Sequence, residues 1–193
     1  MKISPKFVMK VAGTLTIISL ITAALLGLVD GVTRDKIAEI EAEKTRIAMS
    51  AVTPAGSEFT DKQEIPAEVA AAAAAQGGKV LELYGVKAGG CVMKISASGS
   101  QGSIVMMVGV DANKAITGIS VVSHSETSGI GTKVVGNELN DAGVGVLDQF
   151  IGLSGSGSLV VKKNITPITT ATVSTKGITM GANAALAAAE ALG

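Results

Sequence analysis

Residues 78–123 read GKVLELYGVKAGGCVMKISASGSQGSIVMMVGVDANKAITGISVVS, and this stretch decides the fold. Polar and apolar residues partly alternate in it, for example Lys94 and Ser96 against Met93 and Ile95, which indicates strands with one wet face. Glycine-containing breaks and an Asp-Ala-Asn-Lys turn separate the runs, as in short hairpin connections. The pattern predicts an antiparallel meander of four strands at residues 80–86, 91–97, 103–110 and 115–123.

Helical segments lie on both sides of these strands. The run AEVAAAAAAQ at residues 67–76 predicts a short helix that Gly77 ends, and Thr33 is a suitable N-cap for an earlier helix through Met49. After the meander, residues 159–161 predict one more strand and residues 176–192 a last helix. An antiparallel sheet flanked by helices belongs to the α+β class.

Residues 11–29 read VAGTLTIISLITAALLGLV and carry no charge. Such a helix crosses about 30 Å of hydrocarbon, and Lys2, Lys6 and Lys10 precede it without an acidic residue. A cleaved signal peptide is the alternative, but no A-x-A type site follows the run. We therefore predict a single-pass protein of the cell (inner) membrane with a cytoplasmic N-terminus (1–10), a transmembrane helix (11–29), a helical connector (30–52) and an extracytoplasmic domain (53–193).

The composition excludes several classes of function. Sixteen basic and sixteen acidic residues give zero net charge, and aromatic residues make up only 2%, so a surface for nucleic acid is not expected. Cys91 is the only cysteine and His124 the only histidine. An internal disulfide, a cysteine-based zinc site, an iron–sulfur cluster held by this chain alone and a histidine-rich metal site are thereby excluded.

A loop rich in hydroxyl groups, glycines and ionisable side chains follows the fourth predicted strand. It reads SHSETSGIGTK at residues 123–133. Gly129 and Gly131 let backbone N–H groups approach a ligand closely, and His124 and Glu126 are able to hydrogen-bond the edge of a heterocycle. A plain solvated connection explains the same residues, so the loop alone does not decide between the two interpretations.

A second polar segment, NITPITTATVSTK at residues 164–176, precedes the last predicted helix and holds five threonines and one serine. Helix N-termini present unpaired N–H groups and a partial positive charge, which suit either a capping hydroxyl or a phosphate. Ser174 or Thr175 would serve as a cap without any ligand.

The stretch TTATVS at residues 169–174 resembles the S/T-G-A-T flavinylation motif of FMN-binding domains, and the HSETSGIG loop is similar to that family's H-x-E-T-P-G-[LI]-G segment. The order and architecture together resemble the RnfG family of the Rnf complex, which is related to the NqrC family of the sodium-pumping NADH:quinone reductase. Thr166, Thr170 and Ser128 stand where aspartate, glycine and proline are usual. The resemblance implies FMN bound covalently through a phosphoester to Thr172, and implies cofactor contacts from Thr169, Thr170, Ala171, Ser174, Thr175, His124, Glu126, Thr127, Gly129 and Gly131.

The resemblance also implies a function. It predicts an electron-transfer subunit of a membrane-bound, ion-translocating ferredoxin:NAD oxidoreductase, with the other Rnf subunits and a flavin transferase as partners, and with no catalysis by the isolated chain. Two alternatives stay open: an exported FMN domain that feeds electrons to a separate reductase, and a membrane-anchored scaffold or assembly protein without redox function. Bound flavin would distinguish the scaffold from both redox functions.

Overall fold

A computed structural model describes residues 5–193, so residues 1–4 of the predicted cytoplasmic segment lie outside the described residues. The chain forms two compact units, one ending at Glu43 and the other running from Lys44 to Gly193. The predicted α+β class, the four strands of the meander and the alanine-rich helix are confirmed. The elements are α1 (Pro5–Ala51), α2 (Ala67–Ala75), β1 (Gly78–Gly85), β2 (Cys91–Ser98), β3 (Ser103–Val110), β4 (Ile116–His124), α3 (Gly131–Val135) and α4 (Thr172–Ala191), with a 3-10 turn at Asp148–Phe150.

Helix α1 is continuous and includes the predicted anchor. Inside it, the hydroxyls of Thr14 and Thr22 each donate to the carbonyl four residues earlier at 2.9 Å, which satisfies these donors without water. The hydroxyl of Thr33 donates to the carbonyl of Val29 at 2.8 Å in the same way, so the predicted N-cap at Thr33 is wrong. Among residues 5–193, α1 is the one helix long and apolar enough to cross a membrane.

The strands pair antiparallel in the order β1-β2-β3-β4. One face of the sheet carries α2 and α4, and the buried side chains between them form the main core, which includes Met93, Ile95 and Met106. Helix α4 lies close to β2 because small residues face the sheet: a Cβ on Gly177 would lie 2.6 Å from the carbonyl oxygen of Ser98. This packing fixes the first turns of α4 over the connection between β2 and β3.

The opposite face of the sheet is covered at its centre. Val92 and Met107 are fully buried there, under Ala48, Met49 and Val52 from the end of α1 and the residue after it. The prediction that this face is wet is therefore wrong at these positions. Lys94 and Ser96 are polar and lie on the same face, which favoured a wet surface. No local sequence pattern indicates that the end of the connector covers Val92 and Met107.

Gly109 and Gly118 are paired across β3 and β4 and form a notch for Val52. A Cβ on Gly118 would lie 2.9 Å from the Cα of Val52, and one on Gly109 would collide with the Val52 carbonyl oxygen. The hydroxyl of Thr117 donates to that same carbonyl oxygen at 2.5 Å. The backbone after α1 thus reaches the sheet directly, because these two strand residues lack side chains.

The C-terminal part differs from the sequence prediction in two places. Residues 159–161 form no strand; Val161 makes only an isolated bridge to Ile165, and the side chain of Asn183 holds Leu159 in place of a neighbouring strand. Helix α4 begins at Thr172, four residues before its predicted start at Lys176. Its N-cap is Ala171, which supplies no side-chain hydrogen bond, so the predicted caps at Ser174 and Thr175 are wrong.

Candidate functional site

Thr172 is the first residue of α4 and is half-buried. In the described part of the chain, the backbone N–H groups of Thr172, Val173 and Ser174 reach no acceptor, because they precede the first intrahelical hydrogen bond, from Thr175 to Ala171 at 3.0 Å. The Thr172 hydroxyl likewise makes no hydrogen bond within residues 5–193. The Thr172 hydroxyl and three N–H groups without acceptors therefore lie on one helical turn.

These donors border a small cavity of about 190 Å³, here called the threonine cavity. Two of its walls are apolar side chains that stay exposed to solvent, Ile130 at 45% and Val173 at 58%. These two side chains give the cavity an exposed aliphatic edge beside its hydroxyl groups. The lining consists of Ser100, Ile130, Thr169, Thr170, Ala171, Thr172, Val173 and Ser174.

Thr172 also borders a second cavity of about 380 Å³ along the side of α4. That cavity is lined mainly by apolar groups such as Leu159 and Met180, with Lys162 and Lys176 also lining it. A group attached to Thr172 therefore has room on both sides of the first turn.

Glu126 ties the loop after β4 to α4. Its side chain is buried, with 7% exposed. One carboxylate oxygen accepts from the N–H groups of Ser100 at 2.7 Å and Gln101 at 3.3 Å, and the other accepts from the Ser174 hydroxyl. The structure therefore brings Glu126 and Ser174 together behind the threonine cavity, with both oxygens of the carboxylate bound by protein.

Residues 127–132 form a tight turn above this carboxylate. Gly129 has φ +76°, and its N–H donates to the Thr132 hydroxyl at 2.9 Å. A Cβ on Gly131 would lie 2.6 Å from Glu126 and 2.9 Å from the Ser174 hydroxyl, so only glycine fits there. Gly129 thus allows the positive φ of the turn, and Gly131 allows the loop to lie close against Glu126 and Ser174.

His124 and Thr127 are exposed beside the turn. Nδ1 of His124 accepts from the N–H of Glu126 at 3.2 Å, which fixes the ring at the end of β4. Neither residue lines the threonine cavity. These two predicted cofactor neighbours therefore lie outside the lining of this cavity, and their role toward a flavin stays a prediction.

The predicted threonines divide into exposed and structural ones. Thr175 is fully buried, and its hydroxyl donates to the carbonyl of Ala171 at 3.0 Å, a bond that supports the helix. Thr169 and Thr170 are exposed at the cavity. Thr170 does not adopt positive φ, since the non-glycine residues that do so within 5–193 are Lys114, Asn137 and Lys162. The β-branched residue at this position therefore causes no backbone strain.

Sequence reasoning missed the residues that hold this motif from outside it. Ser100 lines the cavity, Asp141 accepts a hydrogen bond from the Thr169 hydroxyl, and Gln149 bonds both backbone groups of Thr166. They lie far from the motif along the chain, in loops without a recognisable pattern. Only the three-dimensional arrangement reveals them.

Reactive groups elsewhere have structural explanations. Burial raises the pKa of the Cys91 thiol to about 11, despite the nearby Lys114 ammonium, so this buried cysteine stays a neutral core residue. Within the described residues 5–193, no group of three histidine, cysteine or acidic side chains is placed to hold a metal ion.

On the face of the sheet opposite α2 and α4, Glu82 accepts a hydrogen bond from Tyr84 at 2.7 Å and pairs with Lys94 at 3.3 Å. Partial burial acts to raise the pKa of Glu82, but the Tyr84 hydroxyl and the Lys94 and Lys62 ammonium groups outweigh it and hold that pKa below its usual value. Burial and the Glu82 carboxylate raise the pKa of Tyr84 to about 12. This polar cluster lies away from the threonine cavity and stabilises the sheet face.

Comparison with known proteins agrees with this geometry. Residues 99–187 match the model of the FMN-binding domain family. The chain is 31% identical to the G subunit of the Na⁺-translocating ferredoxin:NAD⁺ oxidoreductase complex of Acetobacterium woodii, over 92% of this chain and 89% of that protein. It is 28% identical to the G subunit of the ion-translocating oxidoreductase complex of Methanosarcina acetivorans (90% and 89% covered) and 31% identical to that of Cereibacter sphaeroides (72% of each).

Proposed function

Since this chain belongs to the RnfG family of ion-translocating oxidoreductase subunits, we propose that it carries FMN as a phosphoester on Thr172. Family membership and the FMN-binding domain make it an electron-transfer subunit of such a complex. When bound, FMN supplies the one- and two-electron chemistry. As its finer role, we propose that the subunit relays electrons between other redox subunits on the outer side of the membrane, and that the complex couples this transfer to ion transport; the names of the relatives support this role.

The observation that carries the proposal is the Thr172 hydroxyl beside three N–H groups without acceptors. A phosphoester keeps a negative charge, and free N–H groups at the start of a 20-residue helix stabilise such a charge. The donor set of the threonine cavity, hydroxyls and backbone N–H groups, is the chemistry that binds a phosphate.

The remaining walls suit the rest of the cofactor. Ile130 and Val173 offer exposed aliphatic surface to a flat ring, in a chain with few aromatic side chains to stack on it. Glu126 does not line the cavity but holds its surroundings in place. Its carboxylate joins its own loop after β4 to the connection between β2 and β3, at Ser100 and Gln101, and to the start of α4, at Ser174. Glu126 therefore shapes the cavity without pointing a free carboxylate oxygen into it.

Attachment requires an activated flavin donor. Direct condensation of free FMN with the threonine hydroxyl would release a water molecule, and this is unfavourable in aqueous solution. A flavin dinucleotide with a pyrophosphate link meets this need. The Thr172 oxygen forms a bond to the phosphorus of the FMN half, the pyrophosphate P–O bond breaks, the nucleoside monophosphate leaves, and the hydroxyl proton passes to a base of the flavin transferase. No electron is transferred in this step.

The covalent bond suits a domain held outside the cytoplasm. An exported domain has no access to the cytoplasmic flavin pool, so a cofactor lost by dissociation would not be replaced. We assign α1 as the retained anchor, with Lys6 and Lys10 on the cytoplasmic side and the unit Lys44–Gly193 outside.

The test is intact mass together with in-gel flavin fluorescence after denaturation. The full-length protein, coexpressed with a flavin transferase and purified from membranes, should gain the mass of one FMN less one water. Thr172→Ala should lose both the added mass and the fluorescence, while Thr53→Ala, a change outside the motif, should keep them.

Flavin that stays attached to the Thr172→Ala protein after denaturation would place the bond elsewhere and refute the assignment. A wild-type chain without attached flavin that still binds free FMN would favour a noncovalent redox domain. A chain that binds no flavin in either form would favour the scaffold function.

A further inference from the structure

Residues 137–150 form an irregular loop that is stabilised by its own asparagine side chains. Oδ1 of Asn140 accepts from the N–H groups of Ala142 at 2.9 Å and Val144 at 3.1 Å, and Oδ1 of Asn137 accepts from the N–H of Leu147 at 2.7 Å. Asn140 is buried, with 7% exposed. The loop therefore has a defined shape even though it contains only one short 3-10 turn.

This loop holds the segment just before the TTATVS motif of residues 169–174. Gln149 acts as a neighbouring strand would: its Oε1 accepts from the N–H of Thr166 at 2.8 Å, and its Nε2 donates to the Thr166 carbonyl at 3.0 Å. Nδ2 of Asn140 donates to the same carbonyl at 3.3 Å. Three residues later, the Thr169 hydroxyl donates to the Asp141 carboxylate at 2.5 Å.

From this arrangement we propose that Asp141 is a positioning residue for flavin attachment, which holds Thr169 so that the coil before α4 presents Thr172 in one conformation. The inference rests on the proposed function of Thr172. Residues 169 and 170 are exposed, and their segment makes a single backbone turn, from the N–H of Ala171 to the carbonyl of Ile168 at 2.8 Å. Asp141 is the side chain that fixes this coil at its exposed end.

The exposure of the Asp141–Thr169 hydrogen bond distinguishes a positioning role from a contribution to stability. Asp141 and Thr169 are both exposed, and a hydrogen bond between two exposed side chains adds little to the free energy of unfolding. Transfer of a bulky group onto one hydroxyl depends strongly on its orientation. Loss of the bond should therefore slow attachment while the unfolding midpoint stays the same.

The experiment measures the rate of FMN attachment to purified, unloaded full-length protein by a flavin transferase with FAD as donor, followed by intact mass. Asp141→Ala should load about tenfold more slowly, because transfer to a hydroxyl that has lost its fixed orientation is slower. Asp141→Asn keeps an acceptor for the Thr169 hydroxyl and should load within about twofold of wild type. Asp61→Ala, an exposed carboxylate ahead of α2 without a side-chain hydrogen bond among the described residues, should load at the wild-type rate.

A double-mutant cycle completes the test. If the bond to Thr169 carries the effect, Thr169→Ala combined with Asp141→Ala should be no slower than the slower single variant. Asp141→Ala loading at the wild-type rate, Asp141→Asn as slow as Asp141→Ala, or additive effects in the double variant would each overturn the inference. A wild-type protein that takes up no FMN would instead overturn the proposed function, so the two failures are distinguishable.

Discussion

Both carboxylate oxygens of Glu126 are bound by the protein, through the backbone N–H groups of Ser100 and Gln101 and the hydroxyl of Ser174. A group held in this way by three donors contributes mainly to the shape of the site. The sequence, read through the loop motif, favours a direct effect of Glu126 on the flavin. The hydrogen bonds of its carboxylate indicate a further effect, on the loop and the helix start that border the threonine cavity.

Glu126→Gln should therefore destabilise the domain. With the amide oxygen on the N–H groups of Ser100 and Gln101, the new NH₂ would face the Ser174 hydroxyl, whose proton loses its charged acceptor. Replacing these charge-assisted hydrogen bonds by neutral ones should cost about 1–3 kcal/mol. The measurement is the free energy of unfolding of the unloaded protein in detergent. Glu58→Gln is the control, because Glu58 is an exposed partner of Lys87 and its change should cost less than about 0.5 kcal/mol. Equal values for the two variants would contradict this role of Glu126.

At the scale of elements, the notch of Gly109 and Gly118 joins the end of α1 to the sheet. Gly118→Ala would place a methyl group 2.9 Å from the Cα of Val52, so close that the strand or the backbone of Val52 must shift. We expect a loss of about 1–3 kcal/mol in the free energy of unfolding, as for overpacked cores.

The control for this change is Gly102→Ala, whose Cβ would meet only the side chain of Ser125, at 3.0 Å. Thermal unfolding of both variants, monitored by circular dichroism, makes the comparison. A Gly118→Ala protein as stable as the Gly102→Ala protein would show that Val52 does not depend on the notch.

Local patterns predicted most of the elements, and tertiary contacts account for the differences. The strands of the meander follow from alternation and glycine breaks, which act between near neighbours in the chain. The start of α4 at Thr172 could not be predicted, because hydroxyl-rich segments favour capping positions and nothing local shows that Ser174 is used by the distant Glu126 instead. The covering of Val92 by Val52 is equally non-local.

The site was predictable only where a motif marks it. Thr172 and its neighbours in the motif lie together at the helix start and the cavity, while the residues of the HSETSGIG loop, apart from Ile130, do not line that cavity. Asp141 and Gln149 carry no signal in the sequence, since an isolated aspartate or glutamine in a loop occurs in every protein. Their relation to the motif exists only in the folded chain.

For the whole molecule, the proposed orientation across the membrane is testable with engineered cysteines. Asp61→Cys should react with a membrane-impermeant thiol reagent added outside intact spheroplasts, and Lys6→Cys only after permeabilisation. The wild-type background should be silent, because Cys91 is buried and its thiol pKa is raised to about 11. Labelling of Lys6→Cys from outside would reverse the assigned orientation.

The contact between Val52 and the glycine notch determines where a soluble fragment of this protein should begin. A fragment cut at residue 53, where the helix has ended, would strip Ala48, Met49 and Val52 from the sheet and leave Val92 and Met107 facing water. Paired strands with such a bare apolar surface tend to aggregate. A fragment that begins at Lys44 keeps the residues that cover this surface. The last eight residues of α1, which look like the tail of the membrane anchor, should therefore keep the excised domain monodisperse.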